Sequence, residues 1–259
     1  MAPNRDDSLW LRRFHPRPDA RVRLICFPHA GGSASFFFPM SQEMSSGIEV
    51  MAVQYPGRQD RHTEQPVASV QALAREVFSV LRHWTDLPLA LFGHSMGASV
   101  AFEVARLLEQ EAGIEPAALF ASGRNAPSQP RSNDIHRLDD DGIVAELQRL
   151  SGTDARILGD MELLRLALPA IRSDYKAAET YRYQPGPPLG CPVVGLGGDS
   201  DIRVAVEDLA AWSDHTTGTF ELQVFPGGHF YLGDQKAAVV NTVSDFLLSV
   251  RTTGPSNSS

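Results

Sequence analysis

Cysteine is scarce in this chain, with Cys26 and Cys191 the only two among 259 residues. So low a count excludes a disulfide-built scaffold, and because both lie in or beside apolar, strand-like segments they are expected as buried free thiols. Long hydrophobic runs are also missing. No stretch approaches the roughly 20 apolar residues that span a bilayer, so no membrane partner is expected. The opening MAPNRDDSLWLRRFHPRP is charged and lacks the apolar stretch of a secretory signal, which predicts a cytoplasmic protein. Basic side chains number 23 against 31 acidic ones, a formal charge of −8 with no long basic block, and nucleic acid is thereby excluded as an expected partner. An acidic partner would have to use a local basic patch. No metal site or cofactor is expected, and a monomer is the default.

What is present is the composition of an ordinary soluble globular protein, 42% hydrophobic and 21% charged, in a length that suits one α/β domain. Apolar runs rich in Val, Ile, Leu and Phe recur at Arg21–Phe27, Ile48–Tyr55, Leu87–Phe92, Ala117–Ala121, Cys191–Leu196 and Phe220–Phe225. They predict strands buried on both faces. Helical spacing of apolar residues fills the intervals Val67–Trp84, Ala98–Glu111, Val204–His215 and Gln235–Val250. This alternation implies crossover connections, hence a mostly parallel sheet with helices on both faces. It breaks once, where Asp139–Leu150 and Glu162–Tyr183 both read as helices with no strand between them. The chain is accordingly read as a core at about 18–123 and 190–252, a helical lid inserted at 124–189 between polar, proline-bearing loops, and a disordered tail at 253–259.

Residues Gly93–Gly97, GHSMG, follow an apolar segment and open a helical one. A Gly-x-Ser-x-Gly run occurs by chance in about one chain in ten of this length at average usage, so its placement carries the inference. A serine on a tight strand-to-helix turn needs small neighbours and becomes a nucleophile when a base takes its proton. Ser95 is therefore the candidate nucleophile. His229 fits best as its base, since it follows the strand Phe220–Phe225 through Pro226, Gly227 and Gly228; His94, beside the serine, is expected to point away. The orienting carboxylate should fall between them in chain order, and Asp199 and Asp201 in GGDSD both qualify on spacing. Acyl transfer also needs backbone donors for an oxyanion. Met96, next after the nucleophile, and Ala30, in the glycine loop Pro28–Gly32, are the candidates.

FPHAGGSAS (Phe27–Ser35), YPGRQDR (Tyr55–Arg61), GHSMGA (Gly93–Ala98), GGDSD (Gly197–Asp201) and GGHF (Gly227–Phe230) together resemble the external, type II thioesterases of polyketide and nonribosomal peptide synthesis. Within that family the chain looks close to members from rifamycin-type pathways. The resemblance spans nearly the whole chain and implies an α/β-hydrolase fold with a helical lid. It also implies hydrolysis of aberrant or stalled acyl groups from the phosphopantetheine arm of an acyl or peptidyl carrier protein. By position it assigns Ser95 as nucleophile, His229 as base, Asp201 as the carboxylate, and Ala30 and Met96 as oxyanion donors. Arg58 and Arg61 are candidates for contact with the carrier protein or the pantetheine phosphate, as against local ion pairs in a solvated loop. Phe36–Phe38 and Met40 either line the acyl site or pack the core, and Leu163, Leu166 and Tyr175 either bound the substrate chamber or pack on the sheet. The competing functions are an intracellular carboxylesterase or lipase of the same fold and a carrier-binding module without catalysis.

Overall fold

The computed structural model describes residues 9–129, 133–150 and 161–249, so the predicted tail at 253–259 lies outside the described residues. Its sheet comprises β1 (Leu11–Arg12), β2 (Val22–Phe27), β3 (Ile48–Val53), β4 (Leu89–His94), β5 (Ala118–Ser122), β6 (Val193–Gly198) and β7 (Phe220–Phe225), in the spatial order β1-β3-β2-β4-β5-β6-β7. All neighbours pair parallel except β1, which runs antiparallel to β3. Two residues are too short to show any period, and β1 is the strand that the hydrophobic pattern does not announce. The six expected strands are all present.

Successive side chains of a strand point to opposite faces, and here both faces are covered. Ile25, Phe27, Met51, Val53, Leu89, Leu91, Leu119 and Ala121 pack against α2 (Val70–Leu81) and α3 (Met96–Ala112). Leu24, Cys26, Val50, Ala52, Ala90, Phe92, Phe120 and Leu196 face the other way, onto α1 (Phe38–Glu43) and α8 (Lys236–Ser249). Phe37 and Met40 are buried in that second layer and pack core, Phe36 is half-buried against it, and Phe38 is exposed. Both cysteines are buried free thiols. The expectation of burial on both faces fails for β7, whose residues alternate and whose Val224 is exposed; it lies at the sheet edge with β6 as its one neighbour.

Between β5 and β6 lie α4 (Asp140–Arg149) and α5 (Met161–Thr180). Asp139 caps α4 by accepting the Gly142 amide at 2.9 Å. The pair has a small core of its own, with Ile143, Leu147, Leu164, Leu168, Ile171 and Tyr175 packed together beside Ile135. Leu166 is exposed, and Leu163 lies where no side chain is described. After β6 the expected helix at 204–215 is shorter than its apolar spacing suggests, α6 (Val206–Ala210) tightening into a 3-10 turn over Ala211–His215. A last short helix, α7 (Tyr231–Asp234), precedes α8. No helix among the described residues is long and apolar enough to cross a membrane.

Candidate active site

Ser95 sits between β4 and α3 with φ 54° and ψ −119°, a conformation that side chains rarely adopt. Its amide is held by the Ser122 carbonyl at 2.8 Å and its carbonyl by the Ala98 amide at 3.0 Å, so the turn is fixed from β5 and from the helix it opens. The flanking glycines are required by contact. A Cβ on Gly93 would lie 2.3 Å from the Gly97 carbonyl oxygen, and one on Gly97 would lie 2.0 Å from that of Phe27. Strand, turn and helix thus approach too closely for any side chain but hydrogen.

The turn aims Ser95 Oγ at His229 Nε2, 3.0 Å away. His229 follows β7, is buried, and presents Nδ1 to Asp201 Oδ2 at 2.8 Å. Asp201 is anchored in turn, its Oδ1 accepting the amides of Arg203 at 2.7 Å and Val204 at 3.3 Å. Asp199, the other aspartate allowed by spacing, is exposed and does something else: its Oδ1 accepts the Gly227 amide at 3.0 Å and the Ser200 hydroxyl at 2.8 Å. Those bonds hold its carboxyl below the usual carboxylate range, the Gly227 amide contributing most. Asp199 joins the two loops that carry Asp201 and His229, and Asp201 reaches the imidazole.

A cavity of about 310 Å³ opens onto this series, lined by Ser95, His229, Ala30 and Met96 on the sheet side and by Arg149, Tyr175 and Glu179 from the inserted helices. Met96 is the first residue of α3, where no preceding turn supplies an acceptor for its amide, so that N–H is free for a ligand. Ala30 belongs to the loop that leaves β2. Tyr175, from the expected lid, bounds the chamber, whereas Leu166 faces away into solvent.

Arg58 and Arg61 are not placed to meet a partner. Arg58 is buried, donates both Nη atoms to Asp174 on α5 at 2.5 and 2.9 Å, and reaches the carbonyls of Gly32 and Pro56. Arg61 is buried as well, paired with Glu64 at 2.6 and 2.8 Å, bonded to the Gln54 carbonyl at 2.9 Å and stacked 4.4 Å from the centre of the Trp10 ring. The loop is not the solvated one expected: it folds inward, with Arg61 paired locally to Glu64 and Arg58 paired to the distant Asp174. The partners, Asp174 above all, have no motif near Arg58. The one sequence signal is an aspartate at helical spacing from Ile171 and Ala178, on a stripe otherwise apolar, where a carboxylate needs a cation.

His94 was likewise absent from the expected site. It does point away from Ser95, its Nδ1 meeting Ser122 Oγ at 2.9 Å, and that hydroxyl meets the Tyr231 hydroxyl at 2.6 Å. Its fully buried ring lies beneath the site, 5.2 Å from that of His229 and 5.9 Å from that of His29.

Residues 22–247 match the family model described as a thioesterase domain. The chain belongs to the thioesterase family. This thioesterase is 53% identical over 249 residues to thioesterase PikA5 of Streptomyces venezuelae, covering 96% of this chain and 89% of that one. It is 36% identical over 232 residues to the gramicidin S biosynthesis protein GrsT of Aneurinibacillus migulanus, with 89% and 91% covered. Among solved structures it is similar to the type II thioesterase BorB from the borrelidin biosynthetic cluster, with a TM-score of 0.87, 48% identity, and 95% and 99% of the two chains covered. The fold is that of the α/β-hydrolase thioesterases, and membership makes the chain a hydrolase of thioesters. A serine hydroxyl, an imidazole and a carboxylate in one hydrogen-bonded series have the chemistry for acyl transfer to Ser95 and then to water.

Proposed function

We propose that this thioesterase releases acyl groups from the phosphopantetheine arm of carrier proteins, clearing aberrant or stalled units from a polyketide or nonribosomal peptide synthase. The observation that carries the reading is the continuous Ser95–His229–Asp201 series opening into a chamber shared with the inserted helices. Ser95 Oγ attacks the thioester carbonyl while His229 takes its proton. Asp201 holds the imidazole tautomer and steadies its positive charge. The Ala30 and Met96 amides receive the oxyanion of the tetrahedral intermediate. That intermediate collapses, the carbon–sulfur bond breaks, and His229 returns the proton to the departing pantetheine thiol. Water, deprotonated by His229, then attacks the acyl-serine; the bond from the acyl carbon to Ser95 Oγ breaks, His229 returns the proton to Oγ, and the free acid leaves, with no cofactor required.

The similarity to PikA5, GrsT and BorB supports a place beside such a synthase. The helices α4 and α5 act as a lid over the acyl group. At about 310 Å³ the chamber is at the lower end of the range for small-ligand sites, roughly 300–1,000 Å³, which suits a short acyl unit better than a finished chain.

The test presents acyl-loaded carrier proteins, acyl-pantetheine mimics and simple esters to the wild type and to Ser95→Ala. Thioester cleavage that favours carrier-bound acyl groups and vanishes in the variant is expected. Faster cleavage of esters than of every thioester would assign the chain to the esterases instead, and failure of a fluorophosphonate to label Ser95 would leave only a binding module.

A further inference from the structure

Ala30 is placed by a residue on the inserted helix. Asp174, on α5 and fully buried, accepts three hydrogen bonds: from the Gly31 amide at 2.8 Å, and from Arg58 Nη1 and Nη2 at 2.5 and 2.9 Å. Arg58 Nη1 also donates to the Gly32 carbonyl at 3.0 Å, and the Gly32 amide closes the turn onto the His29 carbonyl at 2.9 Å. Gly31 has φ 78°, and a Cβ there would lie 2.9 Å from Cγ1 of Ile171, one turn before Asp174 on the same helix. Two points of α5, a carboxylate and an isoleucine, therefore fix the loop that leaves β2. The Gly31 nitrogen is separated from the Ala30 nitrogen only by the Cα and carbonyl carbon of Ala30. The Ala30 N–H shares its peptide plane with the His29 carbonyl, which the Gly32 amide holds, so with the Gly31 amide on Asp174 both planes flanking the Ala30 Cα are pinned.

We propose that Asp174 and Arg58 are positioning residues for the oxyanion hole, coupling the seat of α5 to the aim of the Ala30 amide, so that the site is competent only while α5 is seated over the chamber. The inference rests on the reading of Ala30 as an oxyanion donor. A buried Arg–Asp pair contributes little net stability over apolar residues of the same volume, so stability alone does not account for it. A fixed donor direction does, since an oxyanion donor acts by preorganisation and loses its effect when misplaced by an ångström. An acyl group too bulky for the chamber would displace α5 and lose turnover without losing binding.

The experiment compares wild type, Asp174→Asn, Arg58→Lys and, as a control, Arg75→Ala, which removes only an exposed pair with Glu111. The substrate is S-acetyl-N-acetylcysteamine. Its trifluoromethyl ketone analogue, which takes Ser95 as a tetrahedral adduct, and its thioether analogue, which does not, serve as ligands. Expected for the two site variants is a fall in kcat of about 10- to 100-fold with KM within twofold. Inhibition by the ketone should weaken in parallel while thioether affinity holds, and the control should match wild type. A merely structural pair would lower the melting temperature and leave kcat per folded molecule and ketone affinity unchanged, which would overturn the proposal. Should the single variants not fold, Arg58→Met/Asp174→Leu leaves no unpaired buried charge and is read by the same criteria. A wild type that turns over no thioester sinks the proposed function and this inference with it; an active wild type with indifferent variants sinks this inference alone.

Discussion

The imidazole of His94 lies 5.2 Å, centre to centre, from that of His229, the base of the proposed mechanism. Burial pushes the pKa of His94 well below its ordinary value, and charge on His229 and His29 pushes the same way. His29, 5.9 Å from His94, is pushed down to about 3, chiefly by burial and then by His229 and Arg58. Phe36 and Phe230 pack against both rings. Two imidazoles held neutral thus stand beside the one proposed as the base.

The acid limb of the pH–rate profile should therefore show a single proton. His29 and His94, both held neutral, should add no ionisation to that limb over about pH 5 to 8, so log(kcat/KM) should rise there with a slope no greater than one. Initial rates on one thioester across that range decide it. A limiting slope near two would mean that His29 or His94 titrates in that range after all.

His29 also sets a pH dependence of stability. Its folded pKa lies below that of the unfolded chain, so below about pH 6.5 the unfolded state binds a proton that the folded state refuses. Stability accordingly falls with pH from near that value down to the folded pKa of about 3. His29→Phe keeps an aromatic ring against Phe36 and Phe230 and removes the titration. Urea unfolding of the variant at stepped pH should show a shallower loss, by one proton, than wild type; equal slopes would contradict the assignment.

Asp201→Asn should lower turnover by a factor on the order of 10⁴ if the serine-protease precedent transfers, because an amide cannot hold the imidazolium or its tautomer. Asp199→Asn should act differently. It keeps an oxygen for the Gly227 amide and Ser200 hydroxyl and never touches the imidazole, so kcat should stay within about tenfold of wild type. Steady-state kinetics on both variants check the pair, and the reverse order would hand the role to Asp199.

These two aspartates mark where the sequence stops being sufficient. Strand and helix positions follow from apolar periodicity, and Ser95 and His229 from their places after strands, because both signals are local. On spacing Asp199 and Asp201 stand equally well after β6; the family resemblance picks Asp201, but the physical reason, a loop path that ties Asp201 to the amides of Arg203 and Val204, is visible only in the fold. Arg58 is harder still. Its partner Asp174 is 116 residues away, and nothing near an exposed-looking YPGRQDR predicts that the loop turns inward. β1 escapes because two residues carry no period. Strand β7 reads as buried because Phe220, Leu222, Val224 and Phe225 satisfy the apolar criterion, while edge position is a property of the assembled sheet.

Arg61→Ala should cost stability and leave carrier recognition alone. The variant loses the fork on Glu64, the bond to the Gln54 carbonyl and the stacking on Trp10, together about 2 to 3 kcal/mol. Urea midpoints and KM for an acyl-loaded carrier protein read the two effects separately. A raised KM at unchanged stability would restore Arg61 as a contact residue.

The close approach at Gly97 gives the sharpest expectation for the fold beneath the site. A methyl group there would stand 2.0 Å from the Phe27 carbonyl oxygen and 2.7 Å from that of Pro28, both backbone atoms that no rotamer change can move. The strand β2, the loop bearing Ala30 and the first turn of α3 would have to part, and with them the strained Ser95 turn between β4 and α3. Gly97→Ala should thus lose at least about 3 kcal/mol and turnover together. Gly233 has open space where its Cβ would stand, and Gly233→Ala should stay within about 0.5 kcal/mol of wild type. Urea denaturation of both variants, with thioester hydrolysis assayed on the folded fraction, makes the comparison. If Gly97→Ala were as stable and active as Gly233→Ala, the tight strand–turn–helix junction would not be what holds Ser95 in place.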